Sequence, residues 1–186
     1  MKVAGRRLFK LTLVILILLL LGVAALQYIL YVELYPYKYE ESLRKYSLEY
    51  SVEDLLILSV IKAESKFNPD AHSHKGAYGL MQITEDTGKW IADQMGIQNF
   101  SGDMLYDENL NIKMGCWYLN NLYQEFGDRD LVISAYNAGR GNVQKWLKDH
   151  NYSKNGKDIH NIPFPETENY VKKVNIYYKI YKYLYN

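Results

Sequence analysis

Ile61-Lys62-Ala63-Glu64-Ser65-Lys66-Phe67-Asn68-Pro69, then Gly76-Ala77-Tyr78-Gly79-Leu80-Met81-Gln82-Ile83-Thr84, is the stretch on which the fold is decided. Leu56 and Val60 precede Glu64 by eight and four residues, so the three share one helical face. Ser51-Val52-Glu53-Asp54 has the spacing of a capping box and predicts where that helix starts. The apolar face is the buried one, so a carboxylate on it loses solvation and its pKa rises. A carboxyl still protonated near neutral pH can serve as a general acid. The same position could instead hold an ordinary helix-end glutamate paired with a nearby lysine. Asn68-Pro69 ends the helix, because proline restricts its predecessor and lacks a donor.

Working outward, Gly76 and Gly79 permit backbone angles that other residues resist and allow a ligand close to the main chain. The Gln82 amide both donates and accepts, which suits an acetamido group. Thr84-Glu85-Asp86-Thr87 reads as a new helix start. A second cluster is Ser134-Ala135-Tyr136-Asn137-Ala138-Gly139-Arg140-Gly141-Asn142-Val143, which offers a polar-tipped Tyr and Asn among small residues. It equally fits a helix C-cap with Gly139 just past the end. A third is Ile162-Pro163-Phe164-Pro165-Glu166-Thr167-Glu168-Asn169-Tyr170-Val171, where prolines lead into a last helix. The acids there also suit the helix dipole.

Taken in order, Glu64-Ser65, Gly79-Leu80-Met81-Gln82, Ala135-Tyr136-Asn137-Ala138-Gly139 and Glu166-Thr167 with Tyr170-Val171 resemble the lytic transglycosylase family. The resemblance is to its soluble-lytic-transglycosylase-like (SLT) catalytic domain, a mainly α, goose-type lysozyme-like fold. Leu105-Tyr106-Asp107, Asn111-Ile112 and Gly115 resemble that domain's central helix, and the similarity runs over about residues 38 to 183. It implies that Glu64 is the single catalytic acid/base, with Ser73 hydrogen-bonded near it. It further implies that Ser65, Met81, Gln82, Tyr136, Asn137, Glu166 and Tyr170 line a glycan cleft or orient the acid. Thr84 departs from the methionine that some members carry there. Peptidoglycan strands are the implied substrate, with an envelope protein complex as a further partner and no cofactor.

Leu11 to Val32 is an apolar run of 22 residues. It would extend about 33 Å as a helix, enough to span a bilayer's hydrocarbon core. Lys2, Arg6, Arg7 and Lys10 precede it, so the positive-inside rule places the N-terminus in the cytoplasm and the remainder outside. Small residues at Val23-Ala24-Ala25 could mark signal cleavage, but the run continues past them, and an uncleaved anchor is expected. The expected organisation is a basic segment 1–10, an anchor 11–32, a tether 33–38 and a catalytic domain 39–186. The chain carries +1, of which the first 32 residues supply +4 without an acid, leaving −3 beyond. Nucleic acid is therefore not an expected partner.

Helices are expected at about 39–49, 52–65, 85–95, 107–126, 129–138, 140–149 and 166–184, with room for a short strand pair in the 96–106 or 151–163 loops. Tyr170, Val174, Tyr177, Tyr178 and Tyr181 follow helical spacing and predict a packing face. Cys116, the one cysteine, lies in a helical apolar pattern and reads as a small core residue. His72 and His74 lack carboxylate or cysteine partners at ligand spacing, so no metal site is expected.

Ordinary glycosidases need two carboxyl groups. By the resemblance one suffices, because the sugar's own C6 hydroxyl closes onto C1 and leaves a 1,6-anhydromuramoyl end. Two rival readings share the fold: a lysozyme-type hydrolase using water, and a non-catalytic glycan-binding envelope protein.

Overall fold

The computed structural model describes residues 2–185, and the chain divides into two units, Met1–Lys38 and Tyr39–Asn186. The first is one long helix, α1 (Lys2–Tyr28), running on through a π-helical stretch Ile29–Leu34. Its segment Phe9–Leu34 is long and apolar enough to cross a membrane, and none of its most apolar window is covered by protein.

Among the described residues, the regular structure of the second unit is helical apart from one small hairpin and an isolated bridge between His72 and Tyr78. Its helices are α2 (Glu40–Tyr50), α3 (Asp54–Glu64), α4 (Glu85–Met95), α5 (Glu108–Phe126), α6 (Arg129–Ala138), α7 (Arg140–Lys148) and α8 (Pro165–Tyr185). A 3₁₀ turn, Gly102–Tyr106, precedes α5. Helix α3 is the central one, since every residue from Leu55 to Ile61 is buried. A helix apolar on all sides must be surrounded, and α8 lies along it while α6 packs on α8 and α5. The packing face of α8 is Tyr170, Val174, Tyr178 and Tyr181, all buried, with Tyr177 half-buried. Cys116 is fully buried in α5.

Three starts are fixed by side-chain caps. Thr84 accepts from the Thr87 amide, Asp107 from Leu110 and Asp128 from Leu131. Each such cap contributes about 1 kcal/mol. Gly96 and Gly127 close α4 and α5 at φ +70°, a left-handed angle that glycine adopts without strain.

Two expectations are corrected. Ser51 does not cap α3: it ends α2 at φ +54°, and the α3 N-cap is Glu53, which makes no side-chain cap bond. The Glu53 carboxylate instead accepts from the Tyr178 hydroxyl of α8. The strand pair lies in neither expected loop. It is an antiparallel ladder of β1 (Ala77–Tyr78) on β2 (Ile83–Thr84), inside the glycine loop. Strands of two residues are too short to show alternation.

Candidate active site

Glu64 is the last residue of α3, and Leu56 and Val60 on its face are buried as the spacing predicts. Ser65 ends the helix, its hydroxyl donating back to the Ile61 carbonyl at 3.2 Å. Lys66 and Phe67 then take φ +53° and +66°. Left-handed angles cost non-glycine residues roughly 1–2 kcal/mol each. Burial of the Phe67 ring, worth about 1.5–3 kcal/mol, offsets much of that and fixes the sharp exit of the chain beside the acid.

Across the α3–α8 interface the Tyr170 hydroxyl donates to Glu64 Oε1 at 2.6 Å. Burial raises the Glu64 pKa, while the phenol bond and the charge of Lys173 pull it back, leaving it at about 7 instead of 4.5. Near neutral pH this carboxyl is therefore divided between acid and base forms. Tyr170 and Tyr136 are held well above the phenol range, by burial first and by the neighbouring carboxylate second. Both therefore stay protonated, each hydroxyl keeping a hydrogen to donate.

The glycine loop is held by a residue that sequence reasoning placed but gave no role. Asn111, fully buried in α5, donates to the carbonyls of Tyr78 at 3.0 Å and Leu105 at 2.8 Å, and accepts from the Met81 amide at 2.8 Å. Gly79 sits at φ +73°, where a Cβ would meet the Leu105 oxygen at 2.3 Å and Asn111 Nδ2 at 2.4 Å. Gln82, at φ +47°, donates its amide to the carbonyls of Ala71 at 3.0 Å and Gly79 at 2.9 Å. Ser73 accepts from the Ala77 amide at 3.1 Å and so braces the hairpin; that bond is local and does not reach the acid. The Met81 side chain is fully buried against Gly115, so it does not line a cleft. Its carbonyl does take part, accepting from the Tyr136 hydroxyl at 2.8 Å.

Helix α6 delivers Tyr136 and Asn137 to the same face. Asn137 Oδ1 accepts from the Thr167 hydroxyl at 2.8 Å, which leaves its NH₂ group as the part it can offer a ligand. A cavity of about 390 Å³ is lined by Ala63, Glu64, Asn137, Glu166, Asn169, Tyr170 and Lys173. A second, of about 210 Å³, adjoins it at Asn137 and is walled by Gln82, Thr84, Tyr136 and Gly139. Glu166 is exposed and ion-paired with Lys75 of the glycine loop at 3.0 Å. Among the described residues it is the one other carboxylate lining the cavity of Glu64.

Lys173 and Asn169 went unread in the sequence. Both lie on α8 at helical distance from Tyr170 and Glu166, which is the signal that could have found them. Lys173 Nζ donates to the Ala63 carbonyl at 3.0 Å, at the rim of the acid's cavity. His72, set aside as a ligand, stacks on Tyr78 at 4.6 Å.

The domain is mainly helical and sets one desolvated carboxyl in a polar groove. The chain belongs to the transglycosylase SLT domain family, whose model matches residues 41–159. It is 34% identical over 157 residues to the soluble lytic murein transglycosylase of Escherichia coli (strain K12), covering 81% of this chain and 24% of that protein. It is 32% identical over 168 residues to the membrane-bound lytic murein transglycosylase C of Salmonella arizonae, covering 78% and 47%. Among solved structures, the 70-kDa soluble lytic transglycosylase in complex with bulgecin A matches with a TM-score of 0.71 and 31% identity over 80% of this chain and 25% of that one. An inactive glutamate-to-glutamine mutant of the lytic transglycosylase Slt from Pseudomonas aeruginosa matches with a TM-score of 0.69 and 32% identity, over 81% and 25%. The chain thus spans about a quarter of the soluble relatives and about half of the membrane-bound one.

Proposed function

We propose that this protein is a membrane-anchored peptidoglycan lytic transglycosylase in which Glu64 is the sole acid/base. The observation that carries the reading is the state of that carboxyl: buried, hydrogen-bonded by Tyr170 and poised at about 7. It is protonated often enough to give its proton to the oxygen joining N-acetylmuramic acid to N-acetylglucosamine. As the C1–oxygen bond breaks, the proton goes to the leaving sugar and Glu64 becomes a carboxylate. That carboxylate then takes the proton of the muramic acid C6 hydroxyl, whose oxygen bonds to C1. The product is a 1,6-anhydromuramoyl end, Glu64 is again protonated and no water is used.

The rest of the cavity supports an internal nucleophile. Hydrolysis by two carboxyls requires a second one, ionised and facing the sugar. Glu166 is instead exposed and paired with Lys75, which suits a contact to sugar or peptide. An intramolecular hydroxyl needs only to be positioned, and positioning can supply a large part of the acceleration. Gln82, Asn137 and Glu166 are the residues assigned to hold the glycan. Tyr170 orients the acid, and Tyr136 ties α6 to the Met81 carbonyl of the loop.

The proposed organisation is a basic cytoplasmic segment 1–10, an anchor 11–32, a tether 33–38 and an outer catalytic domain from 39. Separation of residues 39–186 as their own unit supports the last boundary, and the uncovered apolar helix supports the anchor. Mass spectrometry of peptidoglycan digested by the protein tests the chemistry. Anhydro ends are expected; products one water heavier would refute the internal attack.

A further inference from the structure

Besides Asn137, which it shares with the second cavity, the cavity of Glu64 is walled by a polar stripe of α8: Glu166, Asn169 and Lys173. These lie three and four residues apart and so on one helical face. The one ring lining this cavity, among the described residues, is that of Tyr170, which is buried. The wall therefore offers no apolar face on which a pyranose could pack. It suits a hydrogen-bonding, charged group instead.

The stripe continues into a seam of cations between α3 and α8. Lys173 Nζ gives one hydrogen to the Ala63 carbonyl at 3.0 Å, and an ammonium has three to give. Lys62, next to Ala63 in the chain, lies over the ring of Tyr177 at 5.2 Å, one turn along α8 from Lys173. Lys66 stands close enough that its charge, second to burial, lowers the Lys62 pKa. Neither Lys66 nor Lys173 is ion-paired among the described residues. The nearest acids are already engaged: Glu166 is paired with Lys75, and Glu64 carries a proton when it acts as an acid. Lys66 is held at φ +53°, a strained angle that persists only where the surroundings impose it.

Three lysines gathered against their own repulsion are a local departure in a domain that carries −3 beyond residue 32. A long polyanion would meet the acidic remainder of the domain, whereas a short anion meets only the seam. The N-acetylated rings of the strand are neutral. Its anions are on the arm that muramic acid bears at C3, a lactyl group whose carboxyl is either free or amide-linked to a short peptide with carboxylates of its own. We propose that Lys62, Lys66 and Lys173 form a carboxylate site for that peptide arm, with Asn169 facing its amides, and that strands whose arms end in free carboxylates are cleaved in preference to strands whose arms are amidated. The inference rests on the glycan reading of the groove and adds a substrate preference to it.

The test uses the full-length chain in detergent micelles and tetrasaccharides of alternating N-acetylglucosamine and N-acetylmuramic acid. Their arms differ only in charge: alanyl-glutamate with both carboxyls free, or with both amidated. The kcat/KM for release of anhydro ends is measured for each. The free acid should be favoured about tenfold, and the preference should shrink as salt rises from about 20 to about 500 mM. Lys66→Gln should cut the preference about threefold, the worth of one partly exposed ion pair, and combining it with Lys173→Gln should abolish it. Taking the ratio cancels what Lys173 does to the Glu64 pKa, which affects both substrates alike. Lys154→Gln, the same change of charge at an exposed loop residue, should leave the ratio at its wild-type value. Equal kcat/KM for the two arms overturns the carboxylate site, while cleavage itself leaves the glycan reading standing. Release of no anhydro ends from either substrate overturns both. A preference that survives the double change overturns its assignment to these lysines. A second pair of tetrasaccharides, without peptide, carries the lactyl carboxyl free or as its amide; a preference as large with that pair overturns the assignment to the peptide.

Discussion

Replacing Glu64 by Gln should make the protein more stable while silencing it, and the pH dependence of the gain is specific. The Glu64 pKa rises from 4.5 to about 7 on folding, with burial the largest cause. Between those values the folded state holds a proton that the unfolded state has released. Stability from this group is therefore full below pH 4.5, falls as pH rises, and is lost once pH passes about 7. A tenfold change in proton affinity is about 1.4 kcal/mol, so carrying the ionised acid costs the fold roughly 3 kcal/mol at pH 8. Gln keeps an acceptor for the Tyr170 hydroxyl and has no charge to desolvate. Thermal unfolding of both proteins in the same detergent, from pH 4 to pH 8, measures the difference. It should be near zero at pH 4, grow through pH 5–7 and level off at roughly 6–12 °C for a domain of this size. A difference independent of pH would refute the claim that the carboxyl is desolvated, and with it the physical basis for its acting as an acid.

Because the acid must start protonated, kcat/KM should fall as pH rises through about 7, and a flat profile from pH 6 to 8.5 would count against Glu64. Tyr170→Phe removes a bond that lowers the Glu64 pKa, so it should move that limb to higher pH and cut turnover, with the melting temperature almost unchanged. Glu166→Gln should raise KM more than it lowers kcat, since the side chain is exposed and reaches no acid; a collapse of kcat on purified sacculi would make it part of the chemistry. Asn111→Ala leaves two carbonyls and the Met81 amide without their buried partner and should cost about 3 kcal/mol, read as a lowered denaturant midpoint.

Periodicity made most of the fold legible. Leu56, Val60 and Glu64 announce α3, and Tyr170, Val174, Tyr178 and Tyr181 announce the face that covers it. Thr84 announced the start of α4, while the caps at Asp107 and Asp128 and the left-handed glycines at 96 and 127 emerge from the structure. Local chemistry misled at Ser51, because a capping-box spacing ignores tertiary demands: Glu53 is engaged by Tyr178 of α8, 125 residues on. The site was partly legible for the same reason. Motif order pointed to Glu64 and Tyr170, but no sequence pattern reports that Met81 is sealed in the core while only its carbonyl serves Tyr136. Arg140 of α7 lies over Trp90 of α4 across fifty residues, and that pairing has no local signal.

In the proposed reaction, the placement of Tyr170 would let one carboxyl serve both halves. A general acid benefits from a high pKa, and burial alone supplies it. A general base later in the same cycle benefits from a low one, because the carboxylate must persist long enough to take the C6 proton. The bond from Tyr170 and the charge of Lys173 favour the ionised form and lower the pKa, so they stabilise the state that burial penalises. A pKa near the working pH is where acid and base forms are each populated, and it arises here from opposed causes on different helices. Burial comes mainly from α3 and its neighbours, while the counter-pull comes from two side chains of α8 three residues apart. Helix α8 is thus a cover for the core on its buried face and a tuner of the acid at its first turns. That division requires its N-terminal end to be held in place, which the Thr167–Asn137 bond does against α6 and the Lys75–Glu166 pair does against the glycine loop.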